Sequence, residues 1–320
     1  MTGASGMLGR AVATQLIARG VVVRTFQRRP SGVPGAEEAL GSVSVAGDVN
    51  QAVGGMDAVV HLAAKVSLAG DPADFARVNI GGTRSLLAAA SDHGVRRFVH
   101  ISSPSVAHLG RSIVGDGARP AAATSVRGEY ARTKAVAEQL ALAANSSRLR
   151  VVAVRPHLVW GPGDTQLVQR VVDRARAGRL PLIGHGAVLV DSTYVDNAAS
   201  AIVAALDRCE EVHGRAFVVS NGEPRPVAEL IANMCVAAGV APPAWRVPAV
   251  VARAAGSVVE LLWRASGSGA EPPMTRFLAE QLSTAHWFDQ RSTRDALNWV
   301  PEISLDEGFR RLEKYYRLRR

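Results

Sequence analysis

The sequence predicts an α/β chain built on a doubly wound parallel sheet, with a smaller C-terminal lobe. Three observations carry that expectation. Glycines at 3, 6 and 9 open the chain and lead into the apolar run AVATQLIA, as a turn from strand to helix does. Short β-branched runs then alternate with alanine-rich stretches, the order expected of parallel strands joined by crossover helices. From residue 156 onward glycine and proline become frequent and the alternation loosens, as in GPGD (161–164), GHG (184–186) and PRP (224–226).

The elements follow in chain order. Residues 9–19 read as a helix, and 21–27, 43–46 and 58–62 as strands. A helix over 74–91, a strand over 97–102, a helix over 126–145 and a strand over 151–155, ended by Pro156, complete the regular part. The apolar stretch 247–263 contains Arg253 and Glu260, so it reads as an amphipathic helix rather than a membrane span. No charged-then-apolar leader is expected at the N-terminus.

Composition narrows the function. With 320 residues, 48% of them hydrophobic, the chain can bury a sizeable core. Cys209 and Cys235 lack metal spacing, which suggests a reducing compartment and a cytoplasmic location. The net charge of +9 raises the question of nucleic acid. Lysine occurs only at 65, 134 and 314, so arginine supplies 34 of the 37 basic residues. Those arginines are scattered and no nucleic-acid motif accompanies them, so no nucleic-acid partner is expected.

Two constellations carry chemistry. In the glycine turn, Gly3 permits the turn, Gly6 lets backbone approach a pyrophosphate, and Gly9 lets helix pack on strand. Ser5, Met7 and Leu8 border the helix N-terminus that would face the phosphates. In YARTK, Tyr130 and Lys134 stand one helical turn apart on one face, and an ammonium there should lower the phenol pKa. A surface tyrosine beside a solvated lysine is the alternative. The serines of ISSPSV (101–106) end a strand at the sheet edge where ligands sit, or merely terminate it.

Taken together these motifs resemble the extended short-chain dehydrogenases/reductases, in their 3β-hydroxysteroid dehydrogenase-like branch. TGASGMLG resembles that family's nucleotide turn, GDV (47–49) its adenine-side loop, and HLAA (61–64) the strand beside the nicotinamide. VNIGGT (78–83) resembles its asparagine-bearing helix, SSPSV (102–106) the catalytic-serine strand, and YARTK the tyrosine–lysine pair. VRPHLVWGPGD (154–164) and YVDNAASA (194–201) match later landmarks. LAAKVS, SPSVAH, LVDSTYVDNAA, SNGEP and MTRFLAEQL are similar to bacterial 2-alkyl-3-oxoalkanoate reductases of long-chain olefin synthesis. Sterol dehydrogenases acting on a 3β-hydroxyl, including the 4-carboxysterol type, share many of these phrases and form the alternative. A non-catalytic NADP sensor is a lesser one.

The resemblance implies a Rossmann-type domain over 1–155 and a mainly substrate-binding lobe over 156–320, with 191–220 returning to the first. It implies Tyr130 as proton donor to the ketone, Lys134 on the nicotinamide ribose, Ser103 on the carbonyl oxygen and Asn79 in a proton relay. Asn79 could instead be a helix-capping amide. Ser103 is preferred over Ser102 and Ser105 because the family's hydroxyl stands three places before the valine, here Val106. Asp48, Val49, Ala63, Ala64 and Pro156 would border the cofactor. At the end of the second strand, Gln27, Arg28 and Arg29 stand where an NAD enzyme places a carboxylate, so NADP(H) is favoured over NAD(H), with Arg28 on the 2′-phosphate.

A β-keto acid also requires a cation near its carboxylate. Lys65, after HLAA, and His157, after Pro156, are the candidates; Lys65 could equally be a solvated loop lysine. The apolar 245–278 region could line a tunnel for alkyl chains or form lobe core. A long-chain hydrophobic substrate, a homodimer, other olefin-pathway enzymes and contact with a membrane surface are the partners considered, with no transmembrane span. Finally, family members begin with a full strand before T-G, whereas here only Met1 and Thr2 precede Gly3. Losing a central strand would cost energy comparable with a total stability of roughly 5–15 kcal/mol. That leads to the expectation that this start is internal to a longer natural chain.

Overall fold

The computed structural model describes residues 1–67, 70–266 and 275–319, the side chains of 264–266 excepted. Six parallel strands form the central sheet, in the order Glu37–Leu40, Arg24–Gln27, Ala58–His61, Arg97–Ile101, Arg150–Pro156 and Ala216–Val219. Between the second and third of these, the central position is filled by Met1 and Thr2 alone. Thr2 bridges Phe26 on one side and His61 on the other. The Phe26 amide donates to the Met1 carbonyl (2.8 Å) and the Thr2 amide to the Val60 carbonyl (3.0 Å). Two residues thus pair edges that would otherwise lie open.

Helices cover both faces, so the strands read as nearly continuous apolar runs. Met7–Ala18 and Val195–Asp207 pack together over Val60, Val99, Val152 and Phe217. Gly82–Asp92 and Glu129–Ala143 cover Phe98 and Val151 on the other face.

Two elements differ from expectation. Residues 43–46 do not form a strand but lead into the helix Ala46–Val53. The strand before it is Glu37–Leu40, whose polar EEAL sequence gave no apolar signal because it pairs on one side only, at the sheet edge. GDV therefore lies at a helix start rather than in a loop. Asp48 occupies the first turn, where the helix favours a carboxylate, and its Oδ2 accepts from the Ser42 amide at 2.9 Å. The expected strand over 21–27 shortens to Arg24–Gln27, leaving Val21 and Val22 exposed.

Beyond Pro156 the chain divides its residues. Val195–Asp207 and Ala216–Val219 return to the central sheet, while Trp160, Leu182, Met234 and Leu312 share a separate core. A small sheet joins Arg225–Pro226, Leu189–Val190, His286–Phe288 and Ile113–Asp116, tying together segments distant in the chain. The amphipathic helix forms as Ala249–Ser266, packs on Arg276–Ser283 and leaves Val250, Val251, Val258, Leu261 and Leu262 exposed. No helix among the described residues is long and apolar enough to cross a membrane.

Candidate active site

The three glycines of the opening turn meet different constraints. Gly3 has φ +78°, and a Cβ there would stand 2.9 Å from the Ala63 nitrogen. A Cβ on Gly9 would fall 2.2 Å from the Gly3 carbonyl oxygen. Packing inside the chain therefore excludes any larger residue at either position. Gly6 is otherwise. Its φ of −82° suits any residue, and its Cβ would meet nothing nearer than 3.5 Å. The space at Gly6 is open toward the outside. Beside it, the helix Met7–Ala18 begins with no side-chain cap and no acidic residue in its first turn. An opening next to uncapped N–H groups fits a pyrophosphate, so these residues suit a dinucleotide.

The expected neighbours of that turn are close by. The Ala63 and Leu62 amides both donate to the Thr2 hydroxyl, at 2.9 and 3.1 Å, which holds the HLAA segment against Gly3. Thr2 donates in turn to His61 Nδ1 (2.8 Å), His61 Nε2 to the Thr83 hydroxyl (3.0 Å), and Thr83 to the Asn79 carbonyl (2.7 Å). Burial, with the nearby Lys134 charge, pushes the His61 pKa down to about 3, so this ring is a neutral link. Neither Thr2 nor His61 had a periodic or motif signal marking it as a polar strut.

At the other end of the turn, Arg28 and Arg29 are exposed on the loop after Arg24–Gln27. The position of a Gly32 Cβ lies 3.8 Å from Arg10 Nη1, so a third guanidinium reaches this loop. A carboxylate is also present, from Glu38, which sequence order did not place here. It accepts from Gln27 Nε2 (2.9 Å), Thr25 Oγ1 (3.0 Å), the Ser31 amide (2.9 Å) and the Ser31 hydroxyl (2.5 Å). Four bonds consume its acceptor capacity and shape the loop that carries the arginines.

Ser103, Tyr130 and Lys134 converge at the sheet's carboxyl edge. The Ser103 and Tyr130 hydroxyls are hydrogen-bonded, and Ser105 donates to Ser103 at 3.0 Å. Ser102 Oγ is buried without a protein partner among the described residues. Of the three serines it is Ser103 that meets the tyrosine. The expectation of a lowered Tyr130 pKa is not met. Burial raises it, the Ser103 bond opposing, and the Lys134 ammonium donates to the Ile101 carbonyl (2.5 Å). Lys134, itself buried, is pushed down to about 8.

Asn79 lies in a π-helical turn, Ala76–Gly81, a distortion that often marks functional sites. It is not a cap. Its Oδ1 accepts from the Lys65 amide (2.7 Å), and its Nδ2 donates to the Lys65 carbonyl (3.2 Å) and to Thr133 Oγ1 (3.0 Å). It thereby ties the loop after HLAA to the Tyr130–Lys134 helix.

A cavity of about 320 Å³ opens beside Ser103 and Tyr130. Aliphatic side chains such as Leu167, Val171, Leu230 and Met234 form much of its wall, as an apolar substrate requires. Lys65 is not among its lining residues. Its ammonium pairs with Asp74 (3.0 Å) and lies 5.2 Å from the centre of the Phe75 ring, so the carboxylate role expected of it is not supported. His157 does line the cavity, but as a neutral ring. Burial and the neighbouring His286 and His108 hold its pKa well below the ordinary value, which corrects its reading as a cation. His286, Arg170 and Arg174 join the lining from segments that no motif had marked, while His108 and Gln281 come from SPSVAH and MTRFLAEQL. Of the 245–278 stretch, Phe277 and Leu278 reach the cavity among the described residues, and 267–274 lies outside them.

Comparison with known proteins agrees with this geometry. The model of the NAD dependent epimerase/dehydratase family matches residues 1–220. A 2-alkyl-3-oxoalkanoate reductase of Stenotrophomonas maltophilia is 40% identical over 321 residues, covering 98% of this chain and 97% of that protein. A 3-beta-hydroxysteroid dehydrogenase of Mycolicibacterium neoaurum is 30% identical over 334 residues, covering 99% and 90%. The crystal structure of gox2253 superposes with a TM-score of 0.80 at 28% identity, covering 99% of this chain and 97% of that one. With its glycine turn, its parallel sheet and its Ser–Tyr–Lys edge, the chain belongs to the NAD dependent epimerase/dehydratase family, as an NAD(P)-dependent oxidoreductase of the extended short-chain type in its 3β-hydroxysteroid dehydrogenase-like branch.

Proposed function

We propose that the protein reduces the ketone of a 2-alkyl-3-oxoalkanoic acid to the 3-hydroxy acid, using NADPH. The observation that carries this reading is the apolar cavity whose polar end holds Ser103 and Tyr130. The cofactor supplies hydride to the carbonyl carbon when bound. Tyr130, kept protonated by burial, gives its proton to the carbonyl oxygen, and Ser103 hydrogen-bonds that oxygen as charge develops on it. Lys134 holds the ribose beside the tyrosine, and Asn79 keeps the Lys65 loop and the Tyr130 helix in register. The turn residues Gly3, Ser5, Gly6, Met7, Leu8 and Gly9 face the pyrophosphate, with Asp48, Val49, Ala63, Ala64 and Pro156 along the rest of the cofactor.

The preference for NADPH is supported by Arg28, with Arg29 beside it and Arg10 reaching the same loop from the helix Met7–Ala18, while Glu38 is saturated by its own neighbours. A place beside other olefin-pathway enzymes in the cytoplasm, as a homodimer, completes the reading. NADPH consumption with 2-alkyl-3-oxo acids and with 3-keto sterols tests it. The keto acid should be reduced with the higher kcat/KM, and Tyr130→Phe should lower kcat by about 10²–10⁴-fold. A sterol preference would reject the substrate assignment, and full activity in Tyr130→Phe would reject the proton donor.

A further inference from the structure

Three buried imidazoles meet on the cavity wall: His108, His157 and His286. They come from the turn after 104–107, the end of the strand Arg150–Pro156 and the strand His286–Phe288. His286 lies between the others, its ring centre 5.0 Å from His157 and 6.5 Å from His108. The hydrogen-bond directions are set from one end. The Gln281 carbonyl can only accept, so His286 donates to it through Nε2 (2.6 Å). A neutral His286 then offers a lone pair at Nδ1, and His157 donates to it through Nε2 (2.9 Å). What remains is His157 Nδ1, a lone-pair acceptor with no protein partner among the described residues.

This ring is held in place. The His157 amide donates to the Val219 carbonyl (2.9 Å), and its carbonyl accepts from the Thr193 hydroxyl (2.6 Å). Leu158, the next residue, has φ +40°, a left-handed conformation that a leucine rarely adopts and that often accompanies functional sites. Phe288 stands edge-on at 5.1 Å.

On the reading that the substrate is a β-keto acid, we propose that His157 Nδ1 accepts a hydrogen bond from the substrate carboxyl group, which binds together with one proton. A carboxylate oxygen and an imidazole lone pair repel each other; a proton between them makes a bond. That proton comes from solvent and stays on the O···N axis, and no other bond forms or breaks. His157 is thus a positioning residue that orients the substrate's acid group without a buried cation. His286 faces it, His108 acts on it electrostatically, and Tyr130 lines the same cavity. Asp191 touches the His286 strand, Glu280 with Arg127 influences His108, and Arg170 and Arg174 stand elsewhere on the lining. Those two arginines offer the competing mode, capture of the bare carboxylate.

The test uses the NADPH-loaded protein. KM and kcat are measured for a 2-alkyl-3-oxo acid and for its methyl ester over about pH 6 to 9, where the free acid is ionised. The acid's KM should rise by about tenfold per pH unit, since each acid must bring one proton. The ester's KM should stay level, and kcat should follow one profile for both. His157→Phe should raise the acid's KM about tenfold or more near pH 6, flatten its pH dependence and spare the ester. The comparison on the unaltered protein stands by itself if that variant does not fold. An acid that is reduced with a pH-independent KM would overturn the proposal and leave the β-keto acid reading intact. So would loss of the acid–ester difference in Arg170→Gln or Arg174→Gln rather than in His157→Phe. Reduction of neither compound would overturn the reading itself, and the proposal with it.

Discussion

On the proposed mechanism Tyr130 must keep its proton until a ketone oxygen can take it, and burial raises its pKa in that sense. Lys134 responds to burial in the opposite sense, because the ammonium is the form that loses hydration; its pKa falls to about 8, with Glu138 holding it up. If the charge on Lys134 is needed to hold the ribose, kcat/KM for reduction should decline above about pH 8, by about tenfold per unit. Lys134→Arg keeps a fixed charge and should move that decline to higher pH. A level rate out to about pH 10 would show that the charge is not needed. On the proposed reading Arg28 acts on cofactor choice in the same residue-by-residue way. Arg28→Asp should raise KM for NADPH by about tenfold or more while KM for NADH changes little, as steady-state titration of both cofactors would show.

Within the opening turn, the three glycines separate structure from ligand binding. Gly9→Ala puts a methyl 2.2 Å from the Gly3 carbonyl oxygen, so the helix Met7–Ala18 must move off the sheet. Overpacking of that kind costs about 1–3 kcal/mol, and a lower Tm in the absence of cofactor is expected. Gly6→Ala meets no such clash, and its unliganded Tm should match the parent. Its methyl would instead occupy the approach to the helix N-terminus, raising KM for NADPH by tenfold or more. Thermal melts with and without NADPH distinguish the two variants. Equal losses of unliganded stability would mean that Gly6 too is demanded by the fold.

For the whole molecule, one buried carboxyl links stability to pH. Asp191 accepts from the Phe288 amide (3.1 Å) and donates its own amide to the His286 carbonyl (3.0 Å), joining two strands of the small sheet. Burial raises its pKa from 3.8 to about 6, hydrogen bonds opposing. Below pH 3.8 both folded and unfolded chains carry the proton. Between there and about pH 6 the unfolded chain releases it first, so folding stability falls as pH rises through that window and stays lower above it. The penalty reaches about 3 kcal/mol at about 1.4 kcal/mol per pH unit. Asp191→Asn keeps an acceptor for Phe288 and removes the charge, so its advantage in urea unfolding should grow from pH 4 to 6 and then level off. A pH-independent difference between the two proteins would assign the effect to packing instead.

Local patterns in the sequence marked the parallel sheet with its crossover helices, the glycine turn and the Tyr130–Lys134 pair, because each depends on short-range periodicity or spacing. Residues four apart on a helix must share a face, and a strand followed by a turn and a helix must present its carboxyl edge. Polar Glu37–Leu40 escaped because an edge strand need not be apolar. Tertiary contacts set the environment of each group. They turned the Lys134 ammonium onto the Ile101 carbonyl, paired Lys65 with Asp74, and set His157 against His286, 129 residues away. They also brought Gln281 to orient that chain of imidazoles. Burial, charge state and hydrogen-bond direction arise from contacts between segments far apart in the chain, and no local pattern in the sequence records them.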